Sequence, residues 1–192
     1  MKKIGILALQ GDFEAHSRIV TRLGGAPLYV LTVADLETVD GLIIPGGEST
    51  TILKLLHAEN LLAPLVEFGR RKPVFGTCAG AILLASRVSN PPQEALGLMD
   101  IDVERNAYGR QIESRVTHVT PEDEFASRTH PGDLEAVFIR APLIRRVGPE
   151  ACVLARYRGD PVIVEQGPHL VTTFHPELTA DSRVHELFLS KL

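Results

Sequence analysis

Two short segments of this 192-residue chain carry residue types that are suited to nucleophilic chemistry. In "GTCAG", Cys78 stands between glycines where a β-prone run, "VFGT", gives way to a helix-forming run. In "TFHPEL", His175 and Glu177 flank Pro176 at the end of an apolar run. A thiolate nucleophile works with a histidine that moves protons and a third group that orients the histidine. The two segments therefore predict a catalytic set in which Cys78 is the nucleophile, His175 the acid and base, and Glu177 the orienting carboxylate.

The pattern around Cys78 resembles the nucleophile elbow, a sharp turn between a strand and a helix. Such a turn forces strained backbone angles on the nucleophile, and flanking glycines remove Cβ atoms that would clash there. The following helix N-terminus favours the thiolate and offers N–H groups to a developing oxyanion. The alternative is a buried packing cysteine, and that is the role predicted for Cys152, which lacks the glycine frame.

His175 is expected at the end of a strand, where Pro176 prevents the ladder from continuing. In extended backbone, residues two positions apart point the same way, so Glu177 is expected to bind one imidazole nitrogen while the other faces Cys78. Taken alone, a histidine and a glutamate at this spacing could be a coincidence. Five other histidines are predicted to be solvated or to pack: His16, His57, His118, His130 and His185.

A second glycine turn, "IIPGGEST", is predicted between a strand and a helix. Pro45 presets the turn, two glycines let backbone N–H groups approach a ligand, and Ser49 or Thr50 could cap the helix. The turn could cradle an anion or could be an ordinary capping loop. It lacks the lysine and spacing of a Walker A motif, so nucleotide binding is not supported.

The elements around these turns alternate between strand and helix through the first 89 residues, which predicts a parallel α/β sheet. The stretch "STTILKLLHAENLLAPLVEFG" is expected to form two helices that break before Pro64. After residue 89, strands dominate, and Asp181 is a plausible cap for the last helix. We expect one domain over residues 1–192, with a three-layer, flavodoxin-like, mixed but mostly parallel sheet and helices on both faces.

Composition excludes several classes of protein. The chain is 44% apolar and 23% charged with a net charge of −4, and no basic run interleaves with aromatic residues, so a nucleic-acid partner is not expected. No apolar run is long enough to span a membrane. The start, "MKKIGILAL", has a short apolar stretch and favours a first strand over a signal peptide. Two cysteines do not form a disulfide framework, so a cytoplasmic protein with reduced thiols is expected.

Six segments, in this order, resemble one enzyme family: "LALQGDFEAH", "PGGESTT", "FGTCAG", "VERNAYGRQIES", "VFIRAP" and "TFHPEL". The second, third and last are similar to motifs of class I (triad) glutamine amidotransferases. The others narrow the resemblance to the glutaminase subunits of pyridoxal 5′-phosphate synthase. The resemblance extends from Ile4 to about Val184.

The resemblance implies that L-glutamine and water give L-glutamate and ammonia. It also implies that the ammonia passes to a synthase subunit, a PdxS-like (β/α)8 barrel, in a large hetero-oligomer that makes pyridoxal 5′-phosphate. No metal or organic cofactor is implied for this chain. The implied substrate-binding residues are Gly47, Glu48, Ser49, Arg105, Ile139 and Arg140; the candidates for the oxyanion region or the partner interface are Gln10, Gly46 and Ala79.

Two other functions compete with this interpretation. A cysteine peptidase-like hydrolase could use the same nucleophile elbow and histidine, although "PGGEST" together with "FHPE" argues against it. A binding module that kept the fold without the chemistry is disfavoured, because the set of Cys78, His175 and Glu177 is intact.

Overall fold

The computed structural model describes residues 1–106 and 115–192. Its strands are β1 (Lys3–Leu7), β2 (Ala26–Val30), β3 (Gly41–Ile44), β4 (Val74–Thr77), β5 (Ala85–Ser89), β6 (Met99–Glu104), β7 (Arg115–Val119), β8 (Leu134–Phe138), β9 (Leu143–Val147), β10 (Cys152–Tyr157), β11 (Asp160–Gln166) and β12 (His169–Thr172). Its helices are α1 (Phe13–Arg22), α2 (Val33–Glu37), α3 (Ser49–Ala58), α4 (Leu62–Gly69), α5 (Ala79–Leu84), α6 (Asp123–Arg128) and α7 (Arg183–Leu189), with a 3-10 helix at Pro176–Leu178.

A seven-stranded sheet forms the centre of the fold, with the order β10-β11-β12-β4-β3-β1-β2. The five strands from β12 to β2 are parallel, whereas β11 and β10 extend the sheet in antiparallel pairing. This arrangement confirms the predicted flavodoxin-like α/β class with a mixed, mostly parallel sheet.

Apolar side chains leave the central strands in both directions, as expected for a buried parallel sheet. In β3, Leu42 and Ile44 join a core with residues of α2, α3 and α4. The intervening Ile43 joins a second core with residues of α1 and α7. The sheet is therefore the middle of three layers, and the helices cover both of its faces.

The parallel strands bring four distant loops to one edge of the sheet. The segments after β1, β3, β4 and β12 all begin at carboxyl ends of neighbouring strands, because β4 pairs with both β3 and β12. In open α/β sheets, ligands bind in the crevice outside these ends. Gln10, Gly46, Cys78 and His175 come together there.

The strand-rich part of the chain after residue 84 forms two further sheets, whose strand pairing was not predicted from the sequence. The strands β5, β6 and β9 make a three-stranded sheet, and β7 pairs with β8. The predicted strand "RQIESRVTHV" is represented by Arg115–Val119. The rest of that prediction, and most of "VERNAYGRQIES", lies outside the described residues.

One helix was not predicted, and two predictions about helix ends differ in detail from the structure. The short helix α2 was not predicted, although a capping box joins Thr32 and Asp35. The helices α3 and α4 separate at residues 59–61 rather than at Pro64, which sits in the first turn of α4, where a missing N–H costs no bond. Ser182 occupies the N-cap position of helix α7 without a side-chain cap bond, whereas the carboxylate of Asp181, one residue earlier, accepts from the Arg183 N–H at 3.1 Å.

Both cysteines are free thiols, as predicted. Cys152 is exposed, so the prediction that it packs in the core is wrong. It is the first residue of β10, the outermost strand of the central sheet, whereas Leu154 and Ala155 further along that strand are fully buried. Within the part of the chain that is described, no helix combines the length and the apolar character needed to cross a bilayer.

Candidate active site

Cys78 occupies the sharp turn between β4 and α5 with a strained backbone. Its φ of 49° and ψ of −101° lie outside the regions that side chains prefer, and such residues cost of order 1–3 kcal/mol. The turn is held because the Cys78 N–H donates to the Thr172 carbonyl of β12 at 2.8 Å. The structure therefore has the predicted nucleophile elbow and fixes it to the strand that leads to His175.

The glycines on either side of Cys78 permit the close approach of backbone segments. A Cβ on Gly76 would lie 2.5 Å from the Gly80 carbonyl carbon, and a Cβ on Gly80 would lie 2.2 Å from the Ile44 oxygen. Real Cβ atoms do not make such contacts with backbone. The two glycines of the motif are thus required by the packing of the elbow against itself and against β3.

His175 and Glu177 form the predicted pair, but by a different local geometry. The strand β12 ends at Thr172, and Pro176–Leu178 form a 3-10 helix rather than extended chain. That turn brings His175 Nδ1 to 2.7 Å from Glu177 Oε1, with both side chains almost fully buried. The expectation of extended backbone was wrong, whereas the expected pairing is confirmed.

The charge state of His175 is set by its two neighbours. Burial lowers the pKa of His175, but hydrogen bonds to Cys78 and Glu177, together with their negative charges, raise this pKa to about 10. The imidazole is therefore held as a cation beside the sulfur at neutral pH. Cys78 Sγ also lies 3.9 Å from the Ile139 carbonyl oxygen, so Ile139 borders the nucleophile.

The glycine turn after β3 wraps around the same imidazole. A Cβ on Gly46 would lie 2.3 Å from His175 Cε1, and a Cβ on Gly47 would lie 2.4 Å from Gln10 Oε1. Gln10 Oε1 accepts a hydrogen bond from the Glu48 N–H at 2.8 Å. Gly46 therefore packs directly against the His175 imidazole. The hydrogen bond of Gln10 connects the turn to the segment that follows β1.

Glu48, rather than Ser49 or Thr50, caps helix α3. Its carboxylate accepts from the Thr51 N–H at 2.8 Å and from the Thr50 N–H at 3.3 Å. Partial burial raises the pKa of Glu48, but the hydrogen bonds from Thr50 and Thr51 outweigh it and lower this pKa to about 2. Glu48 is thus a fixed negative charge, and Arg105 Nη2 lies 3.4 Å from its Oε1.

These groups surround a cavity of about 310 Å³. Ten of the predicted site residues line it: Gln10, Gly47, Glu48, Ser49, Cys78, Ala79, Arg105, Ile139, Arg140 and His175. Glu177 lies behind His175, and Gly46 lies against the imidazole. The structure thus brings all of the predicted site residues to one place.

The sequence analysis missed several residues of this site. Asp12, Ile82, Asn106 and Pro142 also line the cavity. For Asp12, Asn106 and Pro142 the signal was present, because they lie in or beside the quoted motifs. Asp12, His175 and Glu177 place possible ligand atoms within 4.8 Å of one another. Since His175 and Glu177 bind each other, the absence of a resident metal stays our prediction.

Two buried histidines lie behind the pair formed by His175 and Glu177. His16 and His185 are both 0% exposed, and His16 Nδ1 lies 2.9 Å from His185 Nε2. His16 Nε2 lies 3.5 Å from Glu177 Oε2 and 3.3 Å from Thr77 Oγ1. A packing role was one of the two expectations for these histidines, but the approach of His16 to the Glu177 carboxylate was not predicted.

The fold, the elbow and the histidine–glutamate pair define a triad amidotransferase, and comparison with known families agrees. Residues 6–192 match the SNO glutamine amidotransferase family, and the chain belongs to that family. A crystal structure titled as a glutamine amidotransferase superposes with a TM-score of 0.88 at 43% identity, covering 98% of this chain and 97% of the other.

Two relatives identify the particular subunit that this chain resembles. The pyridoxal 5′-phosphate synthase subunit PdxT of Solibacter usitatus (strain Ellin6076) is 62% identical over 192 residues, which is the whole of both chains. The subunit of the same name from Koribacter versatilis (strain Ellin345) is 54% identical over 187 residues, covering 97% of this chain and 94% of the relative. The resemblance noted from the sequence motifs is confirmed.

Proposed function

We propose that this protein hydrolyses L-glutamine to L-glutamate and ammonia through a thioester on Cys78. The observation that carries the proposal is the geometry of the three groups. Cys78 lies on a strained elbow at the cavity and raises the pKa of His175. Glu177 Oε1 holds the His175 imidazole through Nδ1 at 2.7 Å. Membership of an amidotransferase family supplies the substrate class.

In the first half-reaction, the Cys78 thiolate attacks the side-chain carbonyl carbon of glutamine, and the carbonyl oxygen takes the negative charge. The His175 imidazolium donates its proton to the amide nitrogen, the carbon–nitrogen bond breaks, and ammonia leaves. Glu177 keeps the ring oriented and stabilises its positive charge, as the carboxylate does in other catalytic triads.

In the second half-reaction, neutral His175 removes a proton from water, and the resulting hydroxide attacks the thioester carbon. The carbon–sulfur bond breaks, glutamate leaves, and the thiolate and imidazolium are restored. The same pair thus acts once as an acid and once as a base.

Complementary charges on the cavity walls support an amino-acid substrate. Arg105 and Arg140 are candidates to bind the α-carboxylate, because a guanidinium forms two parallel bonds with a carboxylate. Glu48, with its pKa lowered to about 2, offers a negative charge to the α-ammonium group. We assign Gly47, Ser49 and Ile139 to the walls that contact the rest of the substrate, since they line the cavity.

The oxyanion is proposed to bind backbone N–H groups of Ala79 and of the turn at Gly46 and Gly47. Each preorganised donor of this kind is worth a few kcal/mol in the transition state. Gln10 Oε1 accepts a hydrogen bond from the Glu48 N–H at 2.8 Å, next to this turn. The conformation of the turn therefore depends on whether Gln10 keeps this hydrogen bond. A partner that docks over Gln10 would change the turn and complete the oxyanion site.

The names of the relatives support a specific partner. Both are called subunits of pyridoxal 5′-phosphate synthase. We infer that this chain assembles with a synthase subunit, a (β/α)8 barrel of the PdxS type, in a large hetero-oligomer and delivers ammonia to it. A cytoplasmic location and the assignment of residues 1–192 to one domain stay predictions.

The direct test is glutamate release by the full chain, measured alone and with the synthase subunit encoded by the same genome. We expect slow release alone and a rise of at least about tenfold in the complex, since one oxyanion donor is worth that much or more. Full activity alone, unchanged by excess synthase subunit, would refute the partner dependence.

A second test separates glutaminase from peptidase chemistry. A glutamine analogue that carries an electrophile on its side chain should label Cys78, as detected by mass spectrometry of the tryptic peptide. A peptide-based electrophile of the kind that inhibits cysteine peptidases is expected to leave Cys78 unmodified. The reverse pattern would favour the peptidase-like alternative.

A further inference from the structure

We propose that His16 is a positioning residue of the active site, whose neutral imidazole donates from Nε2 to Glu177 and thereby fixes the carboxylate that orients His175. The inference rests on the proposed glutaminase function and extends it by one residue beyond the triad. It is carried by unpaired polar atoms behind the catalytic pair.

Glu177 has one oxygen that is engaged and one that needs a donor. Oε1 is bound to His175 Nδ1 at 2.7 Å, whereas the buried Oε2 makes no hydrogen bond of ordinary length with any described residue. His16 Nε2 faces that oxygen at 3.5 Å, and both side chains are fully buried. Leaving a buried carboxylate oxygen without a donor is strongly unfavourable, and the His16 imidazole is the group placed to supply one.

The tautomer of His16 follows from the hydrogen bond on its other side. His16 Nδ1 and His185 Nε2 lie 2.9 Å apart, so one nitrogen carries the proton and the other accepts it. If His16 carries its proton on Nε2, that proton points at Glu177 and at Thr77 Oγ1. If it carries the proton on Nδ1, the Thr77 hydroxyl can donate to Nε2, but the same lone pair also faces the Glu177 carboxylate, which is repulsive, and Oε2 is left without a donor.

His185 provides an independent reason for the same choice. Its Nδ1 is buried and makes no hydrogen bond among the described residues. If His16 accepts at Nδ1, His185 donates from Nε2, and its Nδ1 is a bare nitrogen. In the opposite arrangement a buried N–H would be orphaned at that position, which native structures avoid more strictly than an unpaired acceptor. Glu177 on one side of His16 and His185 on the other side therefore both favour the Nε2–H tautomer of His16.

A neutral His16 leaves the charge of Glu177 available to His175. Burial, followed by the nearby His185 and His175, lowers the pKa of His16 well below its usual range. Burial also lowers the pKa of His185 to about 3, with a contribution from Arg22. His16 thus orients the Glu177 carboxylate without adding a charge, and neutral His185 holds the tautomer of His16. Outer partners of a functional histidine commonly act in this way.

The tautomer can be measured on the unmodified full chain by ¹⁵N NMR of the histidine rings at pH 7. We expect His16 as the neutral Nε2–H tautomer, with its resonances assigned through loss in a His16→Gln variant. An Nδ1–H tautomer or an imidazolium at this position would overturn the proposal. This measurement does not depend on whether the protein hydrolyses glutamine.

Two substitutions then separate positioning from packing. His16→Gln retains an N–H at a similar reach, whereas His16→Leu fills the space without a donor. In the complex with the synthase subunit, we expect kcat to fall about 10- to 100-fold in His16→Leu with KM changed less than about threefold, and to recover most of its value in His16→Gln. Equal losses in both variants, or none in His16→Leu, would contradict the proposal.

Failure of the proposed glutaminase function and failure of the role proposed for His16 give different experimental results. If the wild-type complex releases no glutamate, the glutaminase function fails, and the NMR result alone decides the position of the His16 proton. If His16→Leu does not fold, His16→Gln still tests the proposal, because a loss of kcat as large as that expected for the leucine variant would contradict it.

Discussion

The two cysteines of this chain show how much of a thiol's chemistry depends on where the fold places it. Cys78 lies at the carboxyl end of β4, in the middle of the sheet, and is only 7% exposed. Cys152 lies on the edge strand β10 and is exposed. The less accessible sulfur is the one beside a cationic imidazole, on a turn with φ of 49°.

The surroundings of Cys152 oppose thiolate formation. Partial burial, followed by the carboxylate of Glu165, raises the pKa of Cys152 above its ordinary value, and Arg128 offsets this only in part. The comparison predicts that the buried thiol is the more reactive of the two, because the thiolate is the reactive form and local charge influences its population more than exposure does. Four experiments test this contrast.

The largest effect is expected from removing each sulfur in turn. Cys78→Ala should lower glutamate release by about 10⁴-fold or more, since loss of a covalent nucleophile removes the thioester route. Cys152→Ala is the matched control and should release glutamate at the wild-type rate. A comparable loss in both variants would show that the two thiols do not differ in function.

The next effect comes from the group that keeps His175 cationic beside Cys78. Glu177→Gln retains the shape of the side chain but removes its charge, so we expect the pKa of His175 to fall and kcat to drop by about 10²- to 10³-fold. Glu150→Gln, at an exposed position, is the control. Glutamate release close to the wild-type rate in Glu177→Gln would remove Glu177 from the mechanism.

A smaller loss is expected when the imidazole is displaced without being altered. In Gly46→Ala, the new methyl group would lie 2.3 Å from His175 Cε1, so the imidazole must shift from its present position. A misplacement of about 1 Å costs up to about 10²-fold, and we expect a 10- to 100-fold loss in kcat. Gly24→Ala is the control for backbone strain without a clash: its φ of 78° disfavours a side chain, but nothing lies within 4 Å of the new methyl group, so stability should fall while kcat is retained.

The smallest effect is a difference in the rates of alkylation. At pH 7, iodoacetamide should modify Cys78 at least about tenfold faster than Cys152, as followed by mass spectrometry of the two peptides. The raised pKa of Cys152 means that its thiolate appears only at a higher pH than for an ordinary cysteine. His175 loses its proton near pH 10, so the advantage of Cys78 should shrink as the pH rises toward 10. A constant ratio across this range would argue against the ion pair.

The sequence was sufficient for features that depend on local pattern. Alternation of apolar runs with helical segments predicted the parallel sheet, and paired glycines around Cys78 predicted the elbow. The histidine–glutamate pair was found at its correct spacing even though the assumed backbone conformation was wrong. Those features are encoded within a few neighbouring residues.

The sequence was insufficient where partners come from distant elements. His16 on α1 meets Glu177 only because α1 packs beside the segment after β12. Cys152 sits in an apolar run that is typical of a core strand, and only the order of the sheet places that strand at the edge. The residues 59–61 separate α3 from α4, although Pro64 gave the stronger local signal.

The hydrogen bond from the Cys78 N–H to the Thr172 carbonyl has a consequence for biosynthesis. The elbow is completed by a strand that the ribosome makes long after it has made the cysteine. A nascent chain that has not yet reached β12 carries the thiol without its imidazole and without the contact that holds the turn. An unfinished chain therefore lacks two of the groups on which the proposed hydrolysis of glutamine depends.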